Sequence, residues 1–305
     1  MLKNYIKTTF RNLLRNKVNA LINIFGLSMG LGCAIVLLLL ADYHTSFDDF
    51  HTNKDRIFRV VSSSDGQGGQ RDHTTGVPTP FPDAMRNDFP ELEEVSFVTF
   101  KYGTTLVSVE SYGQTKYFEE DEHIAIIDQH YLKLFDIEWL EGNKSTAMSE
   151  PNSIILSEDW VKKYFGDEPA LNQTITMDKE TVMVVKGVMA NPPKQSDFPF
   201  HMYISLPTVK EEILSYGWGS VSSDDQCYIL LSDVADTTRI NAQLDEFTVK
   251  YFGEHNNNKK LALQPLSNLH SSDQYTNYNY STTSKDNILT MRLVALFLVL
   301  TACVN

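Results

Sequence analysis

The sequence predicts an α+β protein, in which a mixed α/β domain lies between an N-terminal transmembrane helix and the start of a second one. The first observation is that residues 18–41 carry no charged side chain. The second is that the long middle region mixes alternating apolar runs, typical of strands, with amphipathic runs, typical of helices. The third is an apolar stretch from Leu293 to Val304.

The uncharged stretch near the N-terminus is long enough to cross a membrane. At about 1.5 Å per residue it forms a helix of roughly 36 Å, which exceeds a hydrocarbon core about 30 Å thick. The first 17 residues contain five basic residues and no acidic one, whereas Asp42, Asp48 and Asp49 follow the stretch. The positive-inside rule therefore predicts a transmembrane helix over residues 18–43 with its N-terminus in the cytoplasm.

A cleaved signal peptide is the alternative interpretation of this stretch. It fits less well, because the apolar run exceeds the usual 7 to 15 residues or so, and no A-x-A cleavage site follows. A lipoprotein site at Cys33 fits poorly too, since Gly30 stands where a leucine is usual.

Residues 1–17 predict a basic amphipathic helix on the cytoplasmic side. Lys3, Lys7, Arg11 and Arg15 recur every four residues, and apolar side chains occupy another face. Such a helix lies on the inner membrane surface, so membrane lipid is an expected partner. It either registers the motion of a partner protein or simply fixes the topology, and the sequence leaves both roles open.

The remainder of the chain is strongly acidic. Once the N-terminal segment is set aside, 21 of the 26 Lys and Arg residues remain against all 39 Asp and Glu residues. Nucleic acid is therefore not an expected partner. Only Cys227 lies between Cys33 and Cys303, both in apolar stretches, so we expect no disulfide within the domain.

Residues 44–286 are predicted to form the mixed α/β domain that lies between the two transmembrane helices. One predicted helix follows Pro80 over residues 81–95, and another runs from Ser157 as N-cap to Gly166 as the stop. The acidic run 119–122 is interpreted as a solvated face. Residues 130–143 have helix-turn character, and a further helix is expected at 239–253. Residues 116–128 are expected to be a polar loop or strand edge that leads into a buried strand, and other strands are expected at 57–63, 95–100, 104–110, 174–177, 181–189, 201–207 and 226–232.

A tyrosine-rich stretch precedes the final apolar run. Tyr275, Tyr278 and Tyr280 suit either a membrane interface or a plain surface loop. The apolar run itself is only 12 residues long where a complete span needs about 20. We therefore expect residues 287–305 to be the start of a second transmembrane helix that is truncated, with a buried helix as the alternative.

Six blocks of the chain, taken in order, resemble the MacB/FtsX-type permease subunits of ABC transporters. One of them, SFDDFHTNKDRIFRV at 46–60, has the family's post-membrane pattern of an acid, Phe-His, Asn and Asp-Arg. Leu171-Asn172 departs from the family, which usually has Leu-Gly there. The other five blocks are residues 5–35, 128–143, 153–175, 184–207 and 263–271.

This resemblance implies a multi-pass protein of the bacterial inner membrane with residues 44–286 in the periplasm. The implied domain has two lobes, the second inserted within the first, and three further spans are expected beyond Asn305. The implied function is to couple a cytoplasmic ABC ATPase to periplasmic conformational change. A second permease copy, identical or different, is implied as a partner, and a periplasmic adaptor or outer-membrane protein is a further one.

No catalytic, cofactor-binding or metal-binding residue is predicted. The P-loop, H-E-x-x-H and C-x-x-C patterns are all absent, so ATP hydrolysis is expected from a partner. His44, Asp48 and His51 would share a helical face at i, i+4 and i+7 and could hold a metal there. The competing interpretation of His51, as a packing or capping residue of the post-membrane motif, is favoured.

Two other classes of protein share this topology. A membrane-anchored sensor or receptor also places a large extracytoplasmic domain between two spans, and a signalling segment after the second helix would indicate it. An anchored periplasmic adaptor would lack the second membrane helix altogether. The transported substrate cannot be inferred, because whole surfaces rather than short motifs form transport routes.

Overall fold

The computed structural model describes residues 11, 15–111, 113–232, 237–253 and 258–304. Most of the predicted N-terminal amphipathic helix lies outside these residues. The chain divides into two compact units, and each is considered by itself. One unit combines the two terminal segments, up to Ser46 and from Thr283, and the other comprises Phe47–Thr282.

The terminal segments form two long helices, α1 (Lys17–Thr45) and α7 (Lys285–Val304). Both are long and apolar enough to cross a membrane. Small residues line the packed face of α1, where Ala34 and Ala41 are buried, and a Cβ atom on Gly30 would lie 3.8 Å from that of Ala302. Small side chains let two helix backbones approach closely, which is how helices associate in a bilayer.

Polar contacts join the two helices at one end. Arg292 Nη2 lies 3.7 Å from Asp42 Oδ1 and 3.3 Å from Thr45 Oγ1. Thr283 Oγ1 lies 3.2 Å from His44 Nδ1. Because these groups sit where both helices leave their apolar stretches, the pair is fixed at one end by charge and along its length by close packing.

The strands of the Phe47–Thr282 unit form a single mixed sheet. Within the described residues it has thirteen strands in the order β13-β1-β12-β3-β6-β11-β8-β10-β9-β4-β5, with β2 beside β1 and β7 beside β10. The strands are β1 (Ile57–Asp65), β2 (Arg71–Thr74), β3 (Leu92–Phe100), β4 (Thr105–Ser111), β5 (Gln114–Glu120), β6 (Ile124–Ile127), β7 (Trp139–Gly142), β8 (Ser153–Ser157), β9 (Thr174–Met177), β10 (Thr181–Met189), β11 (Met202–Ser205), β12 (Gln226–Leu231) and β13 (Lys260–Pro265).

Helices pack on this sheet, and the pairing is mostly antiparallel. The parallel pairs among the described strands are β8 with β10 and β6 with β11. This mixture of helices with parallel and antiparallel pairs confirms the predicted fold class. The helices of this unit are α2 (Phe81–Asp88), α3 (Tyr131–Leu134), α4 (Glu158–Phe165), α5 (Lys210–Leu214) and α6 (Thr237–Phe252).

The sheet has two halves that follow the order of the chain. Strands β1 to β3, β12 and β13 form the first half, and β4 to β11 form the second half, which is inserted in sequence between β3 and β12. The pairing of β3 with β6, at Val98 opposite Ile127, joins the halves. Each half has its own core: Phe81, Met85 and Phe247 in the first, Trp160, Tyr164 and Val185 in the second.

A third core spans the joint between the halves. It contains Tyr131 and Phe135 of the α3 region, Phe198 and Phe200 of the loop before β11, and Tyr228 of β12. All five side chains are at most 5% exposed. Burying so many rings gives a large hydrophobic stabilisation, so the two halves are held as one body.

One helix is shorter than the sequence indicates. The expected helix over residues 81–95 ends at Asp88, and β3 already begins at Leu92. Pro90 is the physical reason, since the residue before a proline avoids the helical region. Phe89 accordingly has φ −123° and ψ 69°.

Candidate functional site

The segment directly after α1 begins with a buried carboxylate. Asp48 is 2% exposed and has a φ of 56°, a left-handed conformation that Asp tolerates better than most residues. Its backbone N–H donates to Gln195 O at 3.0 Å. Its Oδ1 accepts from Ser196 Oγ at 2.7 Å, and its Oδ2 accepts from the N–H of Asp197 at 3.1 Å. Asp48 thus binds the loop before β11 with both backbone and side chain.

The segment that precedes α7 binds the same loop from the other side. Asp197 Oδ1 accepts from Asn277 Nδ2 at 2.7 Å and lies 3.0 Å from His270 Nδ1. The ring of Phe47 stacks on His270 with centroids 3.4 Å apart. The buried polar network, defined here as Asp48, Ser196, Asp197, His270 and Asn277, therefore ties the segment directly after α1 to the segment that precedes α7.

Two neighbouring carboxyl groups in this network are buried with little charge compensation. Burial, and then the negative charge of Asp197, raises the pKa of Asp48 to about 8. Most Asp48 side chains are therefore protonated at neutral pH, and the two carboxyl groups do not both carry charge. Within the described residues, Asp197 Oδ2 and Asn277 Oδ1 have no hydrogen-bond partner. Buried polar atoms without a hydrogen-bond partner lower the stability of the fold. Because proteins keep such unfavourable arrangements mainly at functional sites, the network is a candidate functional site.

His51 lies beside the network and bonds to a different part of the domain. Its Nδ1 accepts from the Asp136 N–H at 3.1 Å, while the Thr52 N–H donates to the Asp136 carboxylate. The ring packs between Phe50 and Phe135, with centroids 4.1 and 5.2 Å away. Burial lowers the pKa of His51 to about 4. The imidazole is therefore neutral, and its proton is on Nε2.

A buried arginine adds a second attachment for the segment before α7. Arg59 of β1 is fully buried, and its guanidinium donates to the side chains of Gln264 and Gln226 and to Thr276 O at 2.9 Å. Two residues on, the Tyr278 hydroxyl lies 2.7 Å from Asp224 O and 3.0 Å from Val98 O. The chain before α7 is therefore anchored in the domain core.

Three sequence interpretations need correction. Tyr278 is 4% exposed, so it lies neither at a membrane interface nor in a surface loop, whereas Tyr280 is exposed. Glu120 of the acidic run is buried, not solvated, because it accepts from Lys163 Nζ and the Tyr164 hydroxyl. Ser157 stands at the N-terminus of α4 as expected, but its hydroxyl makes no cap and lies 2.7 Å from His201 Nδ1.

The helical face proposed for a metal does not form. Helix α1 ends at Thr45, after His44, and Asp48 and His51 lie in the turns beyond it. Asp48 Oδ1 and His51 Nε2 are 4.0 Å apart. In the part of the chain that the structure describes, no group of three or more His, Cys, Asp or Glu residues could hold a metal ion.

Most of the network residues fall in blocks that carry the family resemblance. Asp48 belongs to the post-membrane block, Ser196 and Asp197 to the block at 184–207, and His270 to the last block. Residues 20–247 match the MacB-like periplasmic core domain family. The chain belongs to this family. The predicted resemblance to MacB/FtsX-type permeases is thereby confirmed.

Solved structures resemble this domain. A domain of a protein described as a permease from Porphyromonas gingivalis matches with a TM-score of 0.59 at 18% identity, covering 70% of this chain and 91% of that one. The periplasmic region of MacB from Actinobacillus actinomycetemcomitans matches at 0.48 and 15%, covering 70% and 90%. The extracellular domain of the noncanonic ABC-type transporter YknZ from Gram-positive bacteria matches at 0.44 and 10%, covering 68% and 99%. A search of curated proteins gave no match.

These findings establish the general type of protein to which the chain belongs. The domain is homologous to the periplasmic domains of MacB/FtsX-like ABC permeases, which are generally non-catalytic subunits. Together with the two apolar helices, this indicates a membrane-anchored, permease-type subunit.

Proposed function

We propose that this chain is the permease subunit of an ABC transporter of the exporter or mechanotransmission type, which couples a separate cytoplasmic ATPase to a conformational change of residues 44–286. In this proposal the domain lies in the periplasm, α1 and α7 cross the inner membrane, and two permease copies act together. The ATPase supplies the energy, and the permease itself catalyses no reaction.

The buried polar network is the observation that carries this proposal. The domain is joined along the chain to α1 by the stretch that begins with Phe47 and Asp48, and to α7 by the stretch from Asn277 to Thr282. Both stretches bind Asp197 or its neighbour Ser196 through buried hydrogen bonds. A displacement of either helix therefore pulls on the loop before β11, which packs into the core shared by both halves. A domain built only to be anchored needs no such attachment at both ends.

The test requires the full-length gene product, co-expressed with a candidate ABC ATPase from the same organism and placed in lipid nanodiscs. A spin label at Tyr117→Cys, which replaces an exposed side chain, reports the distance between two permease copies. Cys33 and Cys303 are replaced by alanine beforehand. We expect ATP with vanadate to shift this distance, and we expect Asp197→Asn to reduce the shift while the ATPase still co-purifies.

Glu120→Gln is the matched control, because it alters a buried carboxylate that bonds only within the second half. It should leave the ATP-dependent shift intact. The proposal fails if no ATPase co-purifies, or if the distance does not respond to nucleotide. An equal loss of the shift in both variants would remove the network from the mechanism.

A further inference from the structure

A pair of histidines lies at the start of two neighbouring strands in the second half of the sheet. His123 directly precedes β6 and His201 directly precedes β11, and these two strands pair in parallel. The backbone oxygen of His123 accepts from the His201 N–H at 2.9 Å and from the Met202 N–H at 3.2 Å. Two backbone hydrogen bonds therefore hold the two imidazole side chains next to each other.

The distance between the two rings suits a shared metal ion. Their centroids are 5.6 Å apart, and their planes are inclined at 79°. With metal–nitrogen bonds of about 2.0–2.1 Å, each centroid would lie roughly 3.2 Å from the ion, and a tetrahedral angle would place the two centroids about 5.2 Å apart. The observed separation is close to this value, so a small movement of one ring is enough.

His201 is held in an orientation that leaves one ring nitrogen for a ligand. Its Nδ1 lies 2.7 Å from Ser157 Oγ, and its ring stacks on Trp160 with centroids 5.7 Å apart. Its Nε2 has no hydrogen-bond partner among the described residues and, unlike His51 Nε2, is not sealed from solvent. A hydrogen bond on one nitrogen commonly orients a histidine whose other nitrogen binds a metal.

His123 supplies an accessible second ligand. Its side chain is 43% exposed, so the ring can turn about its Cβ–Cγ bond. Its Nε2 lies 3.9 Å from a carboxylate oxygen of Glu122, which is too far for a hydrogen bond. No strong contact therefore has to be broken when this nitrogen turns towards an ion beside His201.

The local charge favours a cation. Burial, and then the charge of the neighbouring histidine, lowers the pKa of His201, so its imidazole is neutral at pH 7, which is the form that binds metals. Glu122 and Asp159 place negative charge near the two rings. Lys163 would repel a cation, but its Nζ lies 2.6 Å from Glu120 Oε1, which offsets its charge.

We infer that His123 and His201 together bind a divalent transition-metal ion, such as Cu²⁺, Ni²⁺ or Zn²⁺, through one nitrogen of each imidazole. In the part of the chain that the structure describes, no third His, Cys, Asp or Glu completes the site, so water fills the remaining positions. Among these ions Cu²⁺ should bind most tightly. The bound ion joins the starts of β6 and β11, directly after the loop that holds Ser196 and Asp197.

Electron paramagnetic resonance of added Cu²⁺ tests the inference, because bound imidazole nitrogens split the copper signal. The full chain is purified in detergent micelles without a polyhistidine tag, and the exposed Cys33 and Cys303 are first replaced by alanine. We expect the first equivalent of Cu²⁺ to show two imidazole nitrogens. His123→Ala should leave one and weaken the affinity at least about tenfold, because a second ligand held beside the first acts at a high effective concentration.

Two further variants make the test specific. His201→Ala should have the same effect as His123→Ala, whereas His73→Ala, which removes another exposed histidine, should leave Cu²⁺ binding unchanged. Because His123 is exposed, His123→Ala decides the question even if His201→Ala does not fold. The inference is overturned if the first equivalent shows fewer than two imidazole nitrogens, if His123→Ala binds Cu²⁺ as tightly as the unaltered chain, or if His73→Ala weakens binding equally.

Discussion

Two buried polar clusters in the same domain differ in what they connect. The buried polar network links Asp48 to Asp197, 149 residues away in sequence, and includes residues of the segment after α1 and of the segment before α7. The second cluster links Glu120 of β5 to Lys163 and Tyr164 of α4, 43 and 44 residues away, inside the second half. The first joins distant parts of the chain, whereas the second fastens one helix to its own sheet.

The clusters also differ in how their charges are compensated. Glu120 Oε1 lies 2.6 Å from Lys163 Nζ, and the Lys163 side chain is 40% exposed, so water shares the solvation. The network instead encloses two carboxyl groups with one imidazole and leaves Asp197 Oδ2 unsatisfied. Electrostatics that are costly and not optimised for stability point to a functional role, so we assign the network to function and the second cluster to stability.

The largest difference should appear when each cluster loses its carboxylate. Asp197→Ala removes the partner of His270 and Asn277 at a buried site, and we expect it to lower the free energy of unfolding by about 3–5 kcal/mol. Glu120→Ala should lower it by about 1–2 kcal/mol, since water can reach Lys163. Urea unfolding followed by tryptophan fluorescence measures both, because Trp139, Trp160 and Trp218 all lie in the domain. Equal losses would contradict the comparison.

The pH dependence of stability should sharpen the distinction. Asp48 has a pKa of about 8 in the folded domain, above its value in the unfolded chain, so its contribution is fully present below about pH 4 and is lost as the pH rises towards 8. Burial lowers the pKa of His51, so this residue makes the domain less stable as the pH falls. Its effect is confined mainly to pH values below about 6.5, the pKa of a histidine in the unfolded chain. Between pH 6.5 and 7.5 the wild-type domain should therefore lose about 1 kcal/mol of stability.

Asp48→Asn should abolish this slope, because an amide does not titrate. Glu120→Gln, changed in the second cluster, should keep it. Urea unfolding at the two pH values in each variant provides the measurement, and a slope that persists in Asp48→Asn would assign the titration to another group.

The smallest change in the free energy of unfolding is expected from the hydrogen bond between Ser157 and His201, which also lies in the second half. Ser157 is buried, but its partner His201 is partly exposed and can bond to water instead. Ser157→Ala should therefore cost less than about 1 kcal/mol. A larger loss, measured by the same unfolding experiment, would mean that the pair supports more of the fold than its geometry indicates.

Local patterns in the sequence predicted much of the fold. Short runs of apolar and β-branched residues predicted β1, β9, β10 and β12, and the amphipathic run before Gly253 predicted α6, because these signals lie within a few residues of one another. The end of α2 was misplaced since Pro90 outweighed the helical pattern of the residues after it. Strand β13 was missed, because it lies at the end of the strand order and its pairing with β1, far away along the chain, leaves no local signal.

The candidate site could not be predicted in the same way. Asp48 and His51 were recognised as unusual, but their partners Asp197 and Asp136 lie far along the chain, and no local spacing reveals such a pairing. Tyr278 looked like a surface or interface residue because its neighbours are polar, although its ring is buried in the joint core. The order of the family blocks was the signal that could have pointed to these residues together.

The antiparallel pairing of β3 with β12 has a consequence for the architecture. Val98 stands opposite Gln226, so a tight hairpin could replace everything between the two strands and close the first half as a small sheet of its own. That shortened chain would keep its hydrophobic core but lose Ser196 and Asp197, which leaves Asp48 with nothing to hold. The insertion therefore supplies the loop to which Asp48 bonds, so the first half depends on the second for this attachment of the segment after α1.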